Sequence, residues 1–254
     1  ARSALDAVDP HHESAQAARE MLVRVLGEQG NHHAAIELAS DMLDRAVEAG
    51  DPHAEVAALA SLGVARALSG QAGEARDVYE KARSRAVELG DALRYVHVTS
   101  DLHFVAAGEG DLERARELLL AAREAAEELG YRRHLAISVG NQANLALMAN
   151  DRSGAAPVAI DAIGRLLDLG DAPSAMNSVD TAFRAIGTAG EPTRMAALSA
   201  HAARIEGSLG REQARCETLI LAAAWAVLAD DPAAEALSTE VRELALALDV
   251  AELV

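Results

Sequence analysis

Aromatic side chains are scarce in this chain, whose 254 residues carry one Trp, three Tyr and two Phe. Half of the residues are apolar, so the core must be built from Ala, Leu and Val. Strands draw on aromatic and β-branched residues whereas Ala and Leu lead the helix scale, which excludes a β architecture and predicts an all-α one. Cysteine is nearly absent too. The lone Cys216 has no partner for an internal disulfide or a CxxC pair, which suits a reducing cytosol. Positive charge is also in short supply, with 23 Lys and Arg against 40 Asp and Glu and a formal net charge of −17. Nucleic-acid surfaces displace counterions with Lys and Arg, so no direct nucleic-acid contact by this segment is expected, and basic or neutral partners fit better. Long apolar runs are missing. The longest, Leu219 to Ala229, has 11 residues where a bilayer span needs about 20, so it is expected as a buried helix holding Trp225 rather than a membrane helix. No secretory leader pattern opens the chain, and the expectation is cytoplasmic.

Catalytic signatures are missing as well. The sequence contains no GxxxxGK[ST], H-E-x-x-H or G-x-S-x-G, so neither an enzyme nor a cofactor is expected. Gly108-Glu-Gly110 resembles part of a phosphate-binding loop, but no strand precedes it and a turn explains it. The histidine pairs His11-His12 and His32-His33 are adjacent and point in different directions on a helix, so neither chelates a metal. His97 and Asp101 are four apart and share a face, but a metal needs three or four ligands and no third is visible. The acidic run Glu124, Glu127 and Glu128 reads as a solvated face.

What is present is a period. Gly50, Gly90, Gly130, Gly170 and Gly210 are 40 residues apart, and Gly30, Gly70, Gly110, Asn150, Gly190 and Asp230 form a second series with the same step. Such punctuation divides the chain into twelve helix-length segments, or about six antiparallel hairpins, each burying its apolar face only against its neighbours. A single domain over 1–254 follows, and the missing initiator Met and patternless first ten residues suggest a segment of a larger protein. In the first helix Ala17, Met21, Leu22 and Val25 fall on one stripe. Asn31, Asp51, Asp91 and Asp111 stand where helices start and are expected as caps. At the other end Leu244, Leu246, Leu248, Val250 and Leu253 lack the polar outer face of a terminal repeat. This end is therefore expected to pack on continuing chain or to self-associate through the C-terminal helix.

Within Ser61 to Asp91, the residues Leu62, Gly63, Ala75, Tyr79 and Ala82 have the spacing of the tetratricopeptide pattern, L-G followed by A-x3-F and a small residue. Leu59, Arg66 and Val87 depart from it, and the repeat is longer than the usual ~34 residues. The chain thus resembles the tetratricopeptide-repeat family, in particular the long arrays of large bacterial transcriptional regulators of the MalT/LuxR and antibiotic-regulator types. The resemblance implies a right-handed α-α superhelix whose first helices line a concave groove that holds a protein or peptide. It also implies the sensor or interaction domain of such a regulator. A stand-alone peptide-pheromone-type receptor is the alternative, and an enzyme with a site between repeats is a further one.

Reading the first-helix stripe at the 40-residue step gathers polar groups in the middle of that groove. The candidate ligand-binding residues are His97, Asp101 and Phe104 in the third hairpin, Asn141 and Asn144 in the fourth, and Asn177, Asp180 and Arg184 in the fifth. Each set has helical-face spacing, and Asn and Arg offer paired donors to a peptide backbone or carboxylate. A second reading stands beside it, in which Asn141 and Asn144 only bond neighbouring helices.

Overall fold

A computed structural model describes residues 13–186 and 192–248 of the chain. Among them are twelve α-helices and no strand: α1 (Glu13–Glu28), α2 (His32–Ala49), α3 (Pro52–Leu68), α4 (Ala72–Leu89), α5 (Ala92–Gly108), α6 (Leu112–Glu128), α7 (Arg132–Met148), α8 (Arg152–Asp168), α9 (Ala172–Ile186), α10 (Pro192–Ser208), α11 (Glu212–Leu228) and α12 (Ala234–Ala247). Consecutive helices pack as antiparallel hairpins, from α1/α2 to α11/α12. Three hairpins fall in each of two compact units, Ala1–Tyr131 and Arg132–Val254.

The helix ends are set by residues at the 40-residue step. Gly30, Gly50, Gly70, Gly90, Gly110, Gly130, Gly170 and Gly210 all have positive φ. Where the step falls on another residue, Asn150 (φ 62°) and Asp230 (φ 52°) take the same left-handed conformation, and they are the only described non-glycine residues to do so. Asn and Asp tolerate that region better than other side chains, and it turns the next N–H groups back onto orphan carbonyls. Thus the Gly50 N–H donates to the Val47 carbonyl at 3.1 Å and the Asp51 N–H to that of Ala46 at 3.0 Å. Gly190 lies outside the described residues, as do Val250 and Leu253. At the other ends, Asp51 accepts from the N–H groups of His53 and Ala54, and Asp91, Asp111, Asp151 and Asp171 each accept from an N–H three residues on. Asn31 occupies the cap position of α2 but its side chain makes no capping hydrogen bond. Backbone bonds alone close that turn, from the Asn31 N–H to the Leu26 carbonyl and from the Ala35 N–H to the Asn31 carbonyl.

Packing rests on small residues where helices cross. Ala82, Ala122, Ala162 and Ala202, one step apart, are all buried. Larger side chains fill the space beside them, such as Val23, Leu38, Met42 and Leu62 in the first unit, and Ile163, Leu166, Val179 and Ile205 in the second. In the first unit α3 packs on both α1 and α5, whereas no comparable packing joins α2 to α4 or α4 to α6. The layer of first helices is therefore the tighter one. Two sequence expectations fail here for one reason: an Ala-rich helix can bury its small side and leave large residues outside. On α1 the buried residues are Val23 and Gly27, while Met21 is 63% exposed. The Leu219 to Ala229 run is not a buried helix, since Ala222, Ala223 and Ala226 face inward while Leu221, Val227 and Leu228 are exposed and Trp225 is only half-buried.

Gly63 shows how tight the crossing is, because a Cβ added there would lie 2.5 Å from the Tyr79 ring. Tyr79 is itself buried, so the ring has nowhere to retreat. Gly63→Ala is expected to lower stability by about 1–3 kcal/mol, as overpacking does. By contrast Gly164, on α8, meets nothing within 4 Å, and Gly164→Ala is expected to raise stability by roughly 0.5–1 kcal/mol through backbone entropy. Chemical denaturation of the two variants reads both signs, and equal effects would refute the crossing geometry.

Candidate ligand-binding faces

In the first unit, α5 carries His97, Ser100, Asp101 and Phe104 at helical-face spacing. The His97 Nε2 lies 3.2 Å from the Tyr131 hydroxyl, with the rings 5.7 Å apart, so the half-buried imidazole is held by the residue that follows α6. Phe104 is 47% exposed and leans on His103, with ring centroids 4.0 Å apart. His103 is buried and donates from Nδ1 to the Ser100 carbonyl at 2.5 Å. Burial lowers its pKa, which keeps the ring neutral, although the carbonyl opposes the shift.

Asp101 is the electrostatic centre of this face. Burial pushes its carboxyl up to about 6, against the pull of the Arg24 guanidinium on α1. Tyr79, reaching the same place from α4, has its hydroxyl pKa raised by burial and then by the Asp101 charge. A second link between α1 and α5 is the Glu20–Arg94 pair, whose two contacts of 2.9 and 3.1 Å form a bidentate fork. Arg24, Glu20 and Arg94 were not selected from the sequence, and Tyr79 was read there only as part of the repeat pattern. Arg24 stands 77 residues before Asp101 and Glu20 stands 74 before Arg94, and only the folded packing of α1, α3, α4 and α5 brings these groups together.

In the second unit the polar residues sit on α7 and α9, which pack on each other. Gly140 permits this, since a Cβ there would come 2.6 Å from the Ser178 hydroxyl. Asn141 is 8% exposed, and its Nδ2 has no hydrogen-bond partner. Asn144 is half-buried, and Asn177 is exposed on α9. Asp180 and Arg184 are both exposed and face each other at 3.7 Å. Between them Thr181 donates its hydroxyl to the Asn177 carbonyl at 3.1 Å. The face therefore offers an idle buried amide, two further amides and a loosely held ion pair, which are hydrogen-bonding groups rather than a nucleophile and its base. Among the described residues no three His, Cys, Asp or Glu side chains are grouped to hold a metal. No described helix is long and apolar enough to cross a membrane.

No protein-family model matches the chain, and no curated protein matches it. Solved structures do. BtubC from P. vanneervenii superposes with a TM-score of 0.65 at 20% identity, covering 86% of this chain and 92% of that one. A signal transduction ATPase with numerous domains and a tetratricopeptide repeat sensor, from Pyrococcus horikoshii, gives 0.65 at 15% identity. It covers 98% of this chain, which spans 40% of that protein. The tetratricopeptide-like repeats of a putative kinesin light chain from Podosopora anserina give 0.51 at 16% identity, over 85% of this chain and 96% of that one. The fold is thus all-α and tetratricopeptide-like.

Because the folded carboxyl of Asp101 titrates near 6 and its ordinary value is 3.8, the folded state binds its proton more tightly than the unfolded state does. The protonated acid stabilises the fold below about pH 4, and that stabilisation is lost as the pH rises through about 6. Asp101→Asn should therefore stabilise the protein at pH 7.5 by on the order of 1–3 kcal/mol, with the gain shrinking as the pH falls to 4. Urea melts of both proteins across that range check it. A gain that grows on acidification would overturn the assignment.

Proposed function

We propose that this chain is a non-catalytic protein- or peptide-binding module, and that the inner faces of its first helices hold the partner. The observation that carries the reading is the Asn141 amide, buried and without a partner inside the protein. Leaving such a group unsatisfied costs about 1–3 kcal/mol, and a partner's carbonyl at the adjacent surface would remove that cost. Asn144, Asn177 and Arg184 beside it supply donors for a backbone or carboxylate, and Phe104 with Asp101 in the first unit would take an apolar or cationic side chain. The enzyme alternative is not favoured. Asp180, the acid on the α9 face, is exposed and paired with Arg184 rather than set beside a nucleophile.

The fold likeness to a protein whose repeats are the sensor of a larger signalling ATPase supports placing this module in a regulator of comparable build. The setting we assign is a bacterial, cytoplasmic transcriptional regulator, with the nucleic-acid contact made elsewhere and an acidic surface that favours basic or neutral partners.

Peptides selected from a random display library, titrated by calorimetry, test the inner faces. Asn144→Ala and Arg184→Ala are each expected to weaken the selected peptide about five- to tenfold. Asn141→Ala is expected to weaken binding while changing stability by less than about 1 kcal/mol, because no internal bond is lost. Undiminished affinity in all three variants would sink the proposal. A stability loss with intact binding at Asn141 would assign it to holding the helices together.

A further inference from the structure

We infer that the outer face of the first unit carries a second docking site, a groove between α2 and α4 that takes a basic amphipathic helix from a partner protein. The groove exists because the second helices of adjacent hairpins do not pack on each other. Its volume is about 790 Å³. A helix ~10 Å across rising 1.5 Å per residue fills that space with roughly two turns.

The lining has the chemistry of one side of a helix pair. Leu59 of α3 is the floor, and Leu43 and Val47, one helical turn apart on α2, form an apolar wall. Val47 is 60% exposed, so its methyl groups face water in the free protein. Asp44 and Glu48 lie beside them, also one turn apart, and among the described residues neither makes an ion pair. Like charges at this spacing repel on a helix, and a cation laid between them relieves both. On the opposite wall Arg85 is already engaged by Glu88 at 2.8 Å and reaches Glu55 at 3.8 Å, and against Asp44, Glu48, Glu55, Glu80 and Glu88 the lining sets only Lys81 and Arg85, so its net charge is negative. A partner with an apolar stripe and Arg or Lys along its flank satisfies both walls, which is the helix-in-groove mode of recognition.

The neighbouring outer gap makes the contrast. Between α4 and α6, Arg114 reaches Glu80 at 3.5 Å and ties the helices together. Among the described residues no ion pair joins α2 to α4. This site is separate from the inner faces, since α2 and α4 present the opposite layer of the hairpins.

The test uses the whole chain and a fluorescent peptide with Leu along one helical face and Arg on the others, against a counterpart with Glu for Arg. The Arg peptide is expected to bind saturably, one per chain, and to weaken at least about tenfold as salt rises from 0.05 to ~0.5 M. Val47→Arg should weaken it by about tenfold or more, whereas Val87→Arg, the same charge change on an exposed α4 position outside the groove, should leave it within about twofold. The chain's single lysine, Lys81, lies in the lining, so in the unaltered protein bound Arg peptide should protect it from acetylation. Equal binding of the Arg and Glu peptides, equal loss in the two Val variants, or unprotected Lys81 at saturating peptide would each overturn the site.

Discussion

Two helices can cross closely only where at least one of them presents a side chain no larger than a methyl, and this requirement governs the rest of the structure. The buried Ala82, Ala122, Ala162 and Ala202 meet it once in each of the four middle hairpins, at the same point of the repeat. Each contributes little, on the order of 0.8 kcal/mol per buried carbon, so no single hairpin encloses a core that could stand alone. Stability then accumulates from one interface to the next, as in other repeat architectures. Gly63 under the Tyr79 ring and Gly140 against Ser178 are the same requirement pushed one carbon further.

The step that repeats the alanines also repeats a polar position on the first helices. Ser61, Asp101, Asn141 and Thr181 are each 40 apart and sit on α3, α5, α7 and α9. A hydroxyl at such a place can donate to the carbonyl one turn back, and Ser61 does so to Ala57 at 3.0 Å, as Thr181 does to Asn177 at 3.1 Å. A carboxylate or an amide reaches past its own helix and cannot use that carbonyl in the same way. Burial raises the pKa of Asp101, and the Asn141 Nδ2 has no partner.

How far the sequence could be read follows from the same geometry. Helix ends were legible because backbone conformation is local: the 40-residue step found not only the glycines but also Asn150 and Asp230, whose left-handed φ the structure bears out. Asp caps were legible for that reason, and Asn31 was misjudged because position alone does not decide whether a side chain or the backbone closes a turn. Which side of a helix is buried was less legible. Periodicity marks large apolar residues, yet α1 and α11 bury Val23, Ala222 and Ala226 and leave Met21, Leu221 and Val227 outside. Small residues at the crossings carry the orientation, and in an Ala-rich chain they do not stand out. Arg24 and Tyr79 could not be tied to Asp101 at all, because pairing across hairpins needs the stacking distance that a period does not supply.

Ion pairs complete the argument by deciding which gaps between repeats stay open. Most bind residues three or four apart on one helix, such as Arg116–Glu113 and Arg165–Asp161, and at exposed positions each is worth at most about 1 kcal/mol. A few cross from one hairpin to another: Glu20–Arg94, Arg76–Glu109 and Arg114–Glu80 in the first unit, and Arg133–Asp171 in the second, where Arg215–Glu240 ties the two helices of the last hairpin. Their weakness as stabilisers does not prevent them from occupying space and cancelling charge where they lie. A gap crossed by such a pair offers a partner neither room nor unpaired charge. The α2/α4 gap offers both, since among the described residues Asp44 and Glu48 make no ion pair and Val47 beside them is left exposed. The net charge of −17 is therefore less informative as a total than in its placement, because only carboxylates left beside uncovered apolar surface can specify what binds there.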